Sequence, residues 1–287
     1  MSFALVTGAA KGIGKAIAEE LALRKYNLLL VDMDADALYA TSKKIERDYV
    51  VQALPLHIDI SSKDGVDQVV SYTQPYHEWL SVVVNNAGYG LNGAFENIPI
   101  EEQLNIIEVN INALVKLSHA YIPVLKKFEK GYLLNVSSTT AYQTVPYLNV
   151  YAATKAFALS FTRGLSYELR SSNLTVSTLS LGSTGTDFVT RADINEGTKK
   201  IAAKYNMTPE AVAQIAISGL FKGKPEIIPG FANKLNAFLP KFFPKWFVEK
   251  ITGNIYKQKN PWIDPAPANI FFRLSKLKHQ TVRHQNI

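Results

Sequence analysis

A tyrosine and a lysine stand four residues apart in an alanine-rich segment, and together they could move a proton. Tyr151 and Lys155 lie in the stretch YLNVYAATKAF, whose composition is typical of a helix. Residues four apart share one helix face, so the lysine ammonium would stabilise the tyrosine phenolate and lower its pKa. Such a tyrosine is suited to general acid/base chemistry near neutral pH. An ordinary solvent-exposed Tyr–Lys pair is the alternative.

A glycine-rich turn near residue 10 predicts a dinucleotide-binding site. Gly8, Gly12 and Gly14 follow an apolar run that predicts a strand, and a periodic segment that predicts a helix comes next. Glycines let the backbone turn sharply and approach a pyrophosphate, which then binds N–H groups at the helix N-terminus. Lys11 and Ile13 complete the predicted cofactor loop. The alternative is a turn that holds glycines for conformational reasons only.

Two residues of opposite charge favour different cofactors. Asp32 ends the second predicted strand, where a carboxylate accepts hydrogen bonds from the ribose hydroxyls of NAD and repels the 2′-phosphate of NADP. Lys11 could instead pair with that phosphate. We expect the acid to outweigh a flexible lysine, so NAD(H) is favoured and NADP(H) is the alternative. Asp32 could also merely cap the next helix, a role open to Asp34 or Asp36 as well.

The elements that must position these residues alternate along the chain. Short apolar runs separated by helix-period segments predict a parallel sheet covered on both faces, a doubly wound, Rossmann-type α/β fold. Its ligand crevice would lie at the C-terminal ends of the strands. The predicted strands are 3–7, 27–32, 53–59, 80–85, 132–137, 174–180 and 225–230, and the predicted helices include 15–25, 100–128, 150–171 and 207–223.

Composition excludes several classes of protein. The 287 residues include no cysteine, which removes disulfides, thiolate metal sites and cysteine nucleophiles, and the five histidines show no metal-binding spacing. The net charge of +7 comes from residues 231–287, so the nearly neutral body argues against a nucleic-acid binder. No leader of the secretory type and no apolar run of ~18 residues is seen, so we expect a cytoplasmic protein.

Three motifs in this order, TGAAKGIG, NNAG at 85–88 and Tyr151-x-x-x-Lys155, resemble the short-chain dehydrogenase/reductase family. The resemblance extends from Phe3 to about Tyr256. Segments 93–98, 151–165 and 226–234 are similar to a branch of bacterial oxidoreductases of broad or unassigned substrate specificity. The steroid and long-chain ketoacyl reductases are similar more distantly.

The resemblance implies a role for each matching residue. Tyr151 would be the general acid/base, Lys155 its activator and a ligand of the cofactor ribose, and Ser138 a donor to the substrate carbonyl. Asn110 would hold a water that relays protons, or would only bridge two helices. Leu181 stands where the family usually has proline. Further cofactor contacts are implied at Asp59, Ile60, Asn86, Ala87, Gly88, Gly182, Thr184 and Thr186.

The implied activity is hydride transfer between a nicotinamide cofactor and a hydrophobic ketone or aldehyde and its alcohol. The positive ring of the oxidised cofactor would add to Lys155 in lowering the pKa of Tyr151. The alternatives are a dinucleotide-binding sensor or scaffold and a membrane-surface reductase of acyl or steroid-like substrates. No metal is required. The apolar side chains that we expect to line the substrate pocket are Tyr89, Leu91, Phe95, Tyr142, Val145, Tyr147 and Phe188.

The chain divides into a cofactor-binding and catalytic domain at 1–230, a basic aromatic extension at 231–260 and a tail at 261–287. Residues 186–223 within the first part would form a lid over the substrate. We expect the extension to cap the pocket with its lysines in water, rather than to contact a membrane, because prolines interrupt it. The family resemblance implies a homodimer or homotetramer paired through the helices at 100–128 and 150–171.

Overall fold

A computed structural model of the chain describes residues 2–182 and 207–257. Its seven strands pair in parallel in the order β3-β2-β1-β4-β5-β6-β7. The order reverses between β1 and β4, and this reversal defines a switch point where a crevice opens at the C-terminal strand ends. The strands are β1 (Phe3–Thr7), β2 (Asn27–Asp32), β3 (Ala53–His57), β4 (Leu80–Asn85), β5 (Gly131–Ser138), β6 (Leu174–Leu181) and β7 (Glu226–Ile227).

Helices cover both faces of this sheet. The helices are α1 (Gly12–Leu23), α2 (Ala35–Tyr49), α3 (Gly65–Thr73), α4 (Ile100–Ile107), α5 (Leu114–Leu125), α6 (Asn149–Glu168), α7 (Pro209–Phe221), α8 (Phe231–Phe238) and α9 (Lys245–Tyr256). A π-helical segment, Glu108–Ala113, joins α4 to α5. The predicted doubly wound α/β fold is confirmed.

Strand β1 shows why both layers are needed. Ala4 and Val6 pack with α1, α2 and α7 on one face, whereas Phe3 and Leu5 pack with α3 and α5 on the other. Successive side chains of a strand point to opposite faces, so a strand buried on both sides must be apolar throughout. The five residues of β1 are indeed all buried.

Some element boundaries differ from the prediction. The single helix predicted over 100–128 is divided by the π-helical segment, and α5 contains Pro123. The strand predicted over 225–230 is only Glu226–Ile227, because Pro225 and Pro229 beside it have no N–H to donate to a ladder. None of the described helices has both the length and the apolar character needed to cross a bilayer.

Candidate active site

Tyr151 and Ser138 meet at the carboxyl edge of the sheet. Ser138 is the last residue of β5, and Tyr151 lies in the first turn of α6 with 9% of its surface exposed. The two side chains are hydrogen-bonded to each other, and Ser138 Oγ also accepts a bond of 3.1 Å from the backbone N–H of Thr140. The structure therefore brings together two hydroxyl groups that could face one carbonyl oxygen.

Lys155 lies one turn further along α6 and is almost completely buried. Its Nζ donates to the backbone carbonyl of Val136 at 3.1 Å and lies 5.7 Å from the centroid of the Tyr151 ring. Burial lowers the pKa of Lys155 to about 8. Ser137 holds this turn of α6 against β5, because its hydroxyl donates to the backbone carbonyl of Lys155 at 2.7 Å. Both serines of the NVSS motif thus position the same helix.

The pKa of Tyr151 differs from the prediction that a neighbouring lysine lowers it. Burial raises this pKa above its ordinary value, the hydrogen bond to Ser138 opposes the rise, and Tyr256 adds to it. The prediction combined the lysine with the positive charge of an oxidised nicotinamide. In the protein without a cofactor, desolvation of the phenolate dominates, so Lys155 by itself does not lower this pKa below its ordinary value, and the lowering in the cofactor complex stays a prediction.

Asn110 lies in the π-helical segment and is 1% exposed. Its Nδ2 donates to the Tyr89 carbonyl at 3.0 Å and to Thr154 Oγ1 at 2.9 Å, and its Oδ1 accepts from the Tyr89 N–H at 3.1 Å. π-Helical turns often redirect a side chain at a functional site. These contacts match the bridging alternative: the side chain ties the loop after β4 to α6. The relay water stays a prediction.

The glycine loop forms a tight turn between β1 and α1. Gly8 has φ +66°, and a Cβ there would lie 2.8 Å from Asn86 Nδ2. A Cβ at Gly14 would collide with the Gly8 carbonyl oxygen. Asn86 Nδ2 donates to the carbonyls of Thr7 and Gly8 at 2.9 and 3.0 Å, which joins the NNAG turn to the loop. This close backbone fits a pyrophosphate at the N-terminus of α1.

Asp32 is held by the backbone on both of its carboxylate oxygens. The N–H of Ala10 donates to Oδ2 at 2.9 Å, and the N–H of Asp34 donates to Oδ1 at 3.0 Å. Asp34, not Asp32, caps α2 by accepting from the Ala37 N–H at 3.1 Å. The capping alternative for Asp32 is therefore wrong, and its carboxylate is fixed beside the glycine loop.

Sequence reasoning missed the partner of Lys11. Lys11 Nζ lies 2.7 Å from Asp34 Oδ2, and this hydrogen bond holds the pKa of the Asp34 carboxyl below its usual value. The acidic run DMDAD after β2 is the signal that could have indicated a counter-charge. Because Asp34 balances Lys11, the loop does not present an uncompensated cation to a 2′-phosphate.

The other predicted cofactor residues surround the same crevice. Asp59 Oδ1 accepts from the N–H and the hydroxyl of Ser61 at 2.9 and 2.7 Å, and Ile60 is buried under α3. The Ala87 N–H donates to Thr7 Oγ1 at 3.1 Å. Gly88 lies close to the side chains of Asn110 and Lys155. Gly182 lies close to the side chain of Asn233 in α8, a residue that was not predicted from the sequence. Thr184, Thr186, Phe188 and the lid residues up to 206 lie outside the described part of the chain.

Helix α9 packs against the catalytic helix. Tyr256 packs on the cluster of Val145, Leu148, Tyr151 and Ala152. Asn92, 5% exposed, donates through Nδ2 to the carbonyls of Tyr147 and Tyr256 at 3.1 and 3.0 Å. Neither Asn92 nor Tyr256 was predicted as a site residue.

The predicted pocket residues separate into two groups. A small pocket beside α6 includes Leu91, Phe95 and Tyr147 in its lining. Tyr142 instead donates to Glu226 Oε1 at 2.5 Å and lies 2.8 Å from Ser180 Oγ, where it ties the turn after β5 to β6 and β7. Burial raises the pKa of Tyr142.

This fold and site define a dinucleotide-binding protein with a Ser–Tyr–Lys centre. Residues 2–197 match the family described as short chain dehydrogenase, and the chain belongs to this family. The predicted family is confirmed, and the protein is an oxidoreductase of it.

Two relatives are named as a reductase and as a dehydrogenase-like protein. Very-long-chain 3-oxoacyl-CoA reductase-B of Danio rerio is 35% identical over 61% of this chain and 57% of the relative, so the match spans little more than half of that reductase. Hydroxysteroid dehydrogenase-like protein 1 of Gallus gallus is 31% identical over 89% of this chain and 77% of its own length.

Solved structures share the fold. A 7beta-hydroxysteroid dehydrogenase structure has a TM-score of 0.78 and 25% identity, covering 88% of this chain and 96% of that one. A Burkholderia phymatum enzyme in complex with NAD has a TM-score of 0.74 (19% identity, 84% and 93% covered). A Sphingobium yanoikuyae enzyme in complex with NADPH has a TM-score of 0.72 (23% identity, 94% and 99% covered). Since neighbours bind either cofactor, the choice for this chain must come from its own residues.

Proposed function

We propose that the protein interconverts a hydrophobic ketone or aldehyde and its alcohol, with NAD(H) as cofactor and Tyr151 as general acid/base. The observation that carries this proposal is the buried arrangement of Ser138, Tyr151 and Lys155 beside the glycine loop. Ser138 and Tyr151 are hydrogen-bonded, and the Lys155 ammonium lies 5.7 Å from the tyrosine ring. A sensor or scaffold would have no need of this arrangement.

The residues of the chain have defined tasks in such a reaction. NADH supplies the hydride when bound. Ser138 and Tyr151 would donate hydrogen bonds to the substrate carbonyl oxygen and stabilise the negative charge that develops there. Tyr151 would transfer its proton to that oxygen, because an alkoxide is a stronger base than a phenolate. Lys155 would then stabilise the phenolate, since a pKa of about 8 leaves it mostly protonated at neutral pH.

The preference for NAD(H) rests on two acids near the glycine loop. Asp32 is fixed by the N–H groups of Ala10 and Asp34, in the place where a carboxylate binds ribose hydroxyls. Asp34 balances the charge of Lys11. Both features oppose a 2′-phosphate and favour NAD(H) over NADP(H).

The substrate class rests on the surroundings of Tyr151. Val145, Leu148, Ala152 and Tyr256 form an apolar cluster with it. An apolar environment favours a hydrophobic carbonyl compound over a charged one. The names of the relatives, an acyl-CoA reductase and a hydroxysteroid dehydrogenase-like protein, agree with a lipid-like substrate. Cytoplasmic localisation stays a prediction.

Tyr151→Phe tests the proposed catalytic role. We expect turnover of hydrophobic ketones to fall by at least about 100-fold, because the proton donor is lost. NADH affinity, followed by nicotinamide fluorescence, should stay nearly unchanged. Tyr142→Phe is the matched control, since the Tyr142 hydroxyl is hydrogen-bonded to Glu226. Full turnover in Tyr151→Phe would show that another group supplies the proton.

Asp32→Ala tests the cofactor preference separately. We expect NADH binding to weaken by roughly 10-fold or more, because charged hydrogen bonds to the ribose are lost, and NADPH binding to strengthen. The matched control is Asp36→Ala, an exposed acid in the first turn of α2. Titration of each variant with NADH and NADPH measures both affinities without turnover. An unchanged ratio of the two would contradict the assignment of Asp32.

A further inference from the structure

The C-terminal extension exposes large apolar side chains along one continuous stretch. The stretch covers α8, a 3₁₀ turn at Leu239–Phe242 and α9. Phe231 is 82% exposed, and Phe242 and Trp246 are each 66% exposed. The exposed apolar and basic residues of this stretch are together called the aromatic–basic face. Its apolar members are Phe231, Leu235, Phe238, Leu239, Phe242, Phe243, Trp246, Phe247 and Ile251, and its basic members are Lys234, Lys241, Lys245 and Lys250.

The aromatic residues of this face contact one another. The ring centroids of Phe238 and Phe242 are 4.9 Å apart, those of Phe243 and Phe247 are 5.6 Å apart, and Trp246 lies 5.8 Å from Phe247. These rings therefore form groups rather than isolated exposed side chains. An exposed apolar patch of this kind marks a surface that binds a partner.

The charge of the face indicates which partner it suits. Four lysines lie within Phe231–Ile251, all exposed, against the single acid Glu249. Lys241 Nζ lies 5.9 Å from the centre of the Phe238 ring, so cation and aromatic surface are presented together. Lysines beside Trp and Phe are typical of segments that lie in the interface of an anionic bilayer.

The inward side of the same segment is anchored to the catalytic domain. Thr252 Oγ1 donates to the Thr144 carbonyl at 3.1 Å, and Tyr256 packs beside Tyr151. Ala237 of α8 is also buried. Because the inward residues are occupied, the face points its rings and lysines away from the protein, on a support that is fixed next to the active site.

We propose that the aromatic–basic face docks the enzyme on an anionic lipid bilayer, with the rings in the interfacial layer and the lysines at the headgroups. Pro240 and Pro244 rule out one long amphipathic helix, but α8 and α9 are short helices that can each lie along the bilayer surface. The sequence alone favoured a cap with its lysines in water. In the structure, α9 packs beside Tyr151 through Tyr256 and also carries part of this face. The inference does not depend on the proposed reaction.

Vesicle sedimentation of the full chain tests the docking surface directly. We expect the protein to sediment with phosphatidylcholine–phosphatidylserine vesicles at physiological salt, and much less with phosphatidylcholine alone. Phe242→Ala/Trp246→Ala and Lys241→Glu/Lys245→Glu should each reduce binding roughly 10-fold or more. Tyr39→Ala and Lys43→Glu, exposed on α2, are the matched controls. Circular dichroism confirms that each variant is folded.

Tryptophan fluorescence gives a second measurement that reports the face itself. Trp79→Phe/Trp262→Phe leaves Trp246 as the only tryptophan of the chain. Its emission should shift to shorter wavelength on addition of anionic vesicles.

Three results would overturn the proposal. The first is that the wild type does not sediment with anionic vesicles. The second is that the wild type and Lys241→Glu/Lys245→Glu bind the vesicles equally. The third is that the wild type does not bind vesicles but self-associates, and that Phe242→Ala/Trp246→Ala abolishes this self-association. The last would make the face a contact between copies of the chain. Ketone reduction plays no part in either measurement, so failure here leaves the proposed reaction standing.

Discussion

At the scale of single residues, the unusual feature is a buried ammonium group. Lys155 is 5% exposed, and one backbone carbonyl, that of Val136, accepts its hydrogen bond at 3.1 Å. Burying a charge costs folding free energy unless strong partners compensate for it. The lowered pKa of Lys155 reflects this loss of folding free energy. Groups with such shifted pKa values cluster at functional sites, which agrees with the position of Lys155 beside Tyr151.

This cost predicts a pH dependence of stability. The pKa of Lys155 is about 8 in the folded protein against 10.5 in a free lysine, so between these values the unfolded chain binds more protons. Stability should therefore rise with pH across this window, by up to ~3 kcal/mol from this group. In Lys155→Met this rise should be absent, and the variant should be more stable than the wild type at pH ~7 by a similar amount.

Urea unfolding at both ends of the window measures this difference. Lys116→Met, which removes an exposed lysine of α5, is the control and should follow the wild type. If Lys155→Met shows the same pH slope as the wild type, the ammonium is not buried in solution. The turnover of Lys155→Met should be lost whether or not its pH slope changes. Stability and activity of this variant should therefore change in opposite directions.

At the scale of elements, two connections position the centre. The π-helical segment places Asn110 against the loop after β4 and against Thr154 of α6. Asn92 joins that loop to α9 through the carbonyl of Tyr256. Helix α9, distant in sequence, is thus held beside the catalytic helix by the buried amide of Asn92, by the Thr252–Thr144 hydrogen bond and by apolar contacts of Tyr256.

Asn92→Ala should loosen this connection. The carbonyls of Tyr147 and Tyr256 would each lose a hydrogen bond, which should cost about 1–3 kcal/mol of stability. We expect faster hydrogen exchange over 245–257 with little change over β1 and α1, measured by mass spectrometry of the peptides. Asn254→Ala, on the exposed side of α9, is the matched control. Unchanged exchange over α9 would mean that the Thr252 hydrogen bond and the apolar contacts hold it without Asn92.

At the scale of the whole molecule, the parallel sheet places the cofactor loop and the catalytic residues on one edge. β1 and β4 are neighbours although the two strands β2 and β3 lie between them in sequence, so Gly8 and Asn86 meet. Outside this edge, α4 and α6 expose Ile100, Leu104 and Phe157, which are 53%, 53% and 38% exposed. This is the surface through which we expect the chain to form a dimer or tetramer.

Phe157→Glu tests the predicted oligomer. The ring of Phe157 stacks on Phe161 with centroids 5.7 Å apart on the outer side of α6, and a charge there would oppose burial between subunits. Sedimentation velocity should show a dimer or tetramer for the wild type and a smaller species for the variant. Tyr39→Glu on α2 is the control and should keep the wild-type mass. A monomeric wild type would contradict the prediction.

The fold class could be predicted from the amino-acid sequence alone, and so could the residues that we propose as reactive groups. The Tyr151–Lys155 spacing, the glycine loop and the apolar strands are local patterns, and each depends only on the geometry of one element. Asp32 belongs with them, since its place at the end of a strand puts it beside the glycine loop.

The properties that depend on burial and on distant neighbours could not be predicted from local sequence patterns. Desolvation raises the pKa of Tyr151, although the local pattern predicted a fall. Asp34 pairs with Lys11, and Asn92 meets Tyr256 across more than half of the chain. The aromatic residues of 231–251 could have been core or surface by sequence alone. Which side of a helix is buried depends on the elements packed against it, and local spacing does not contain that information.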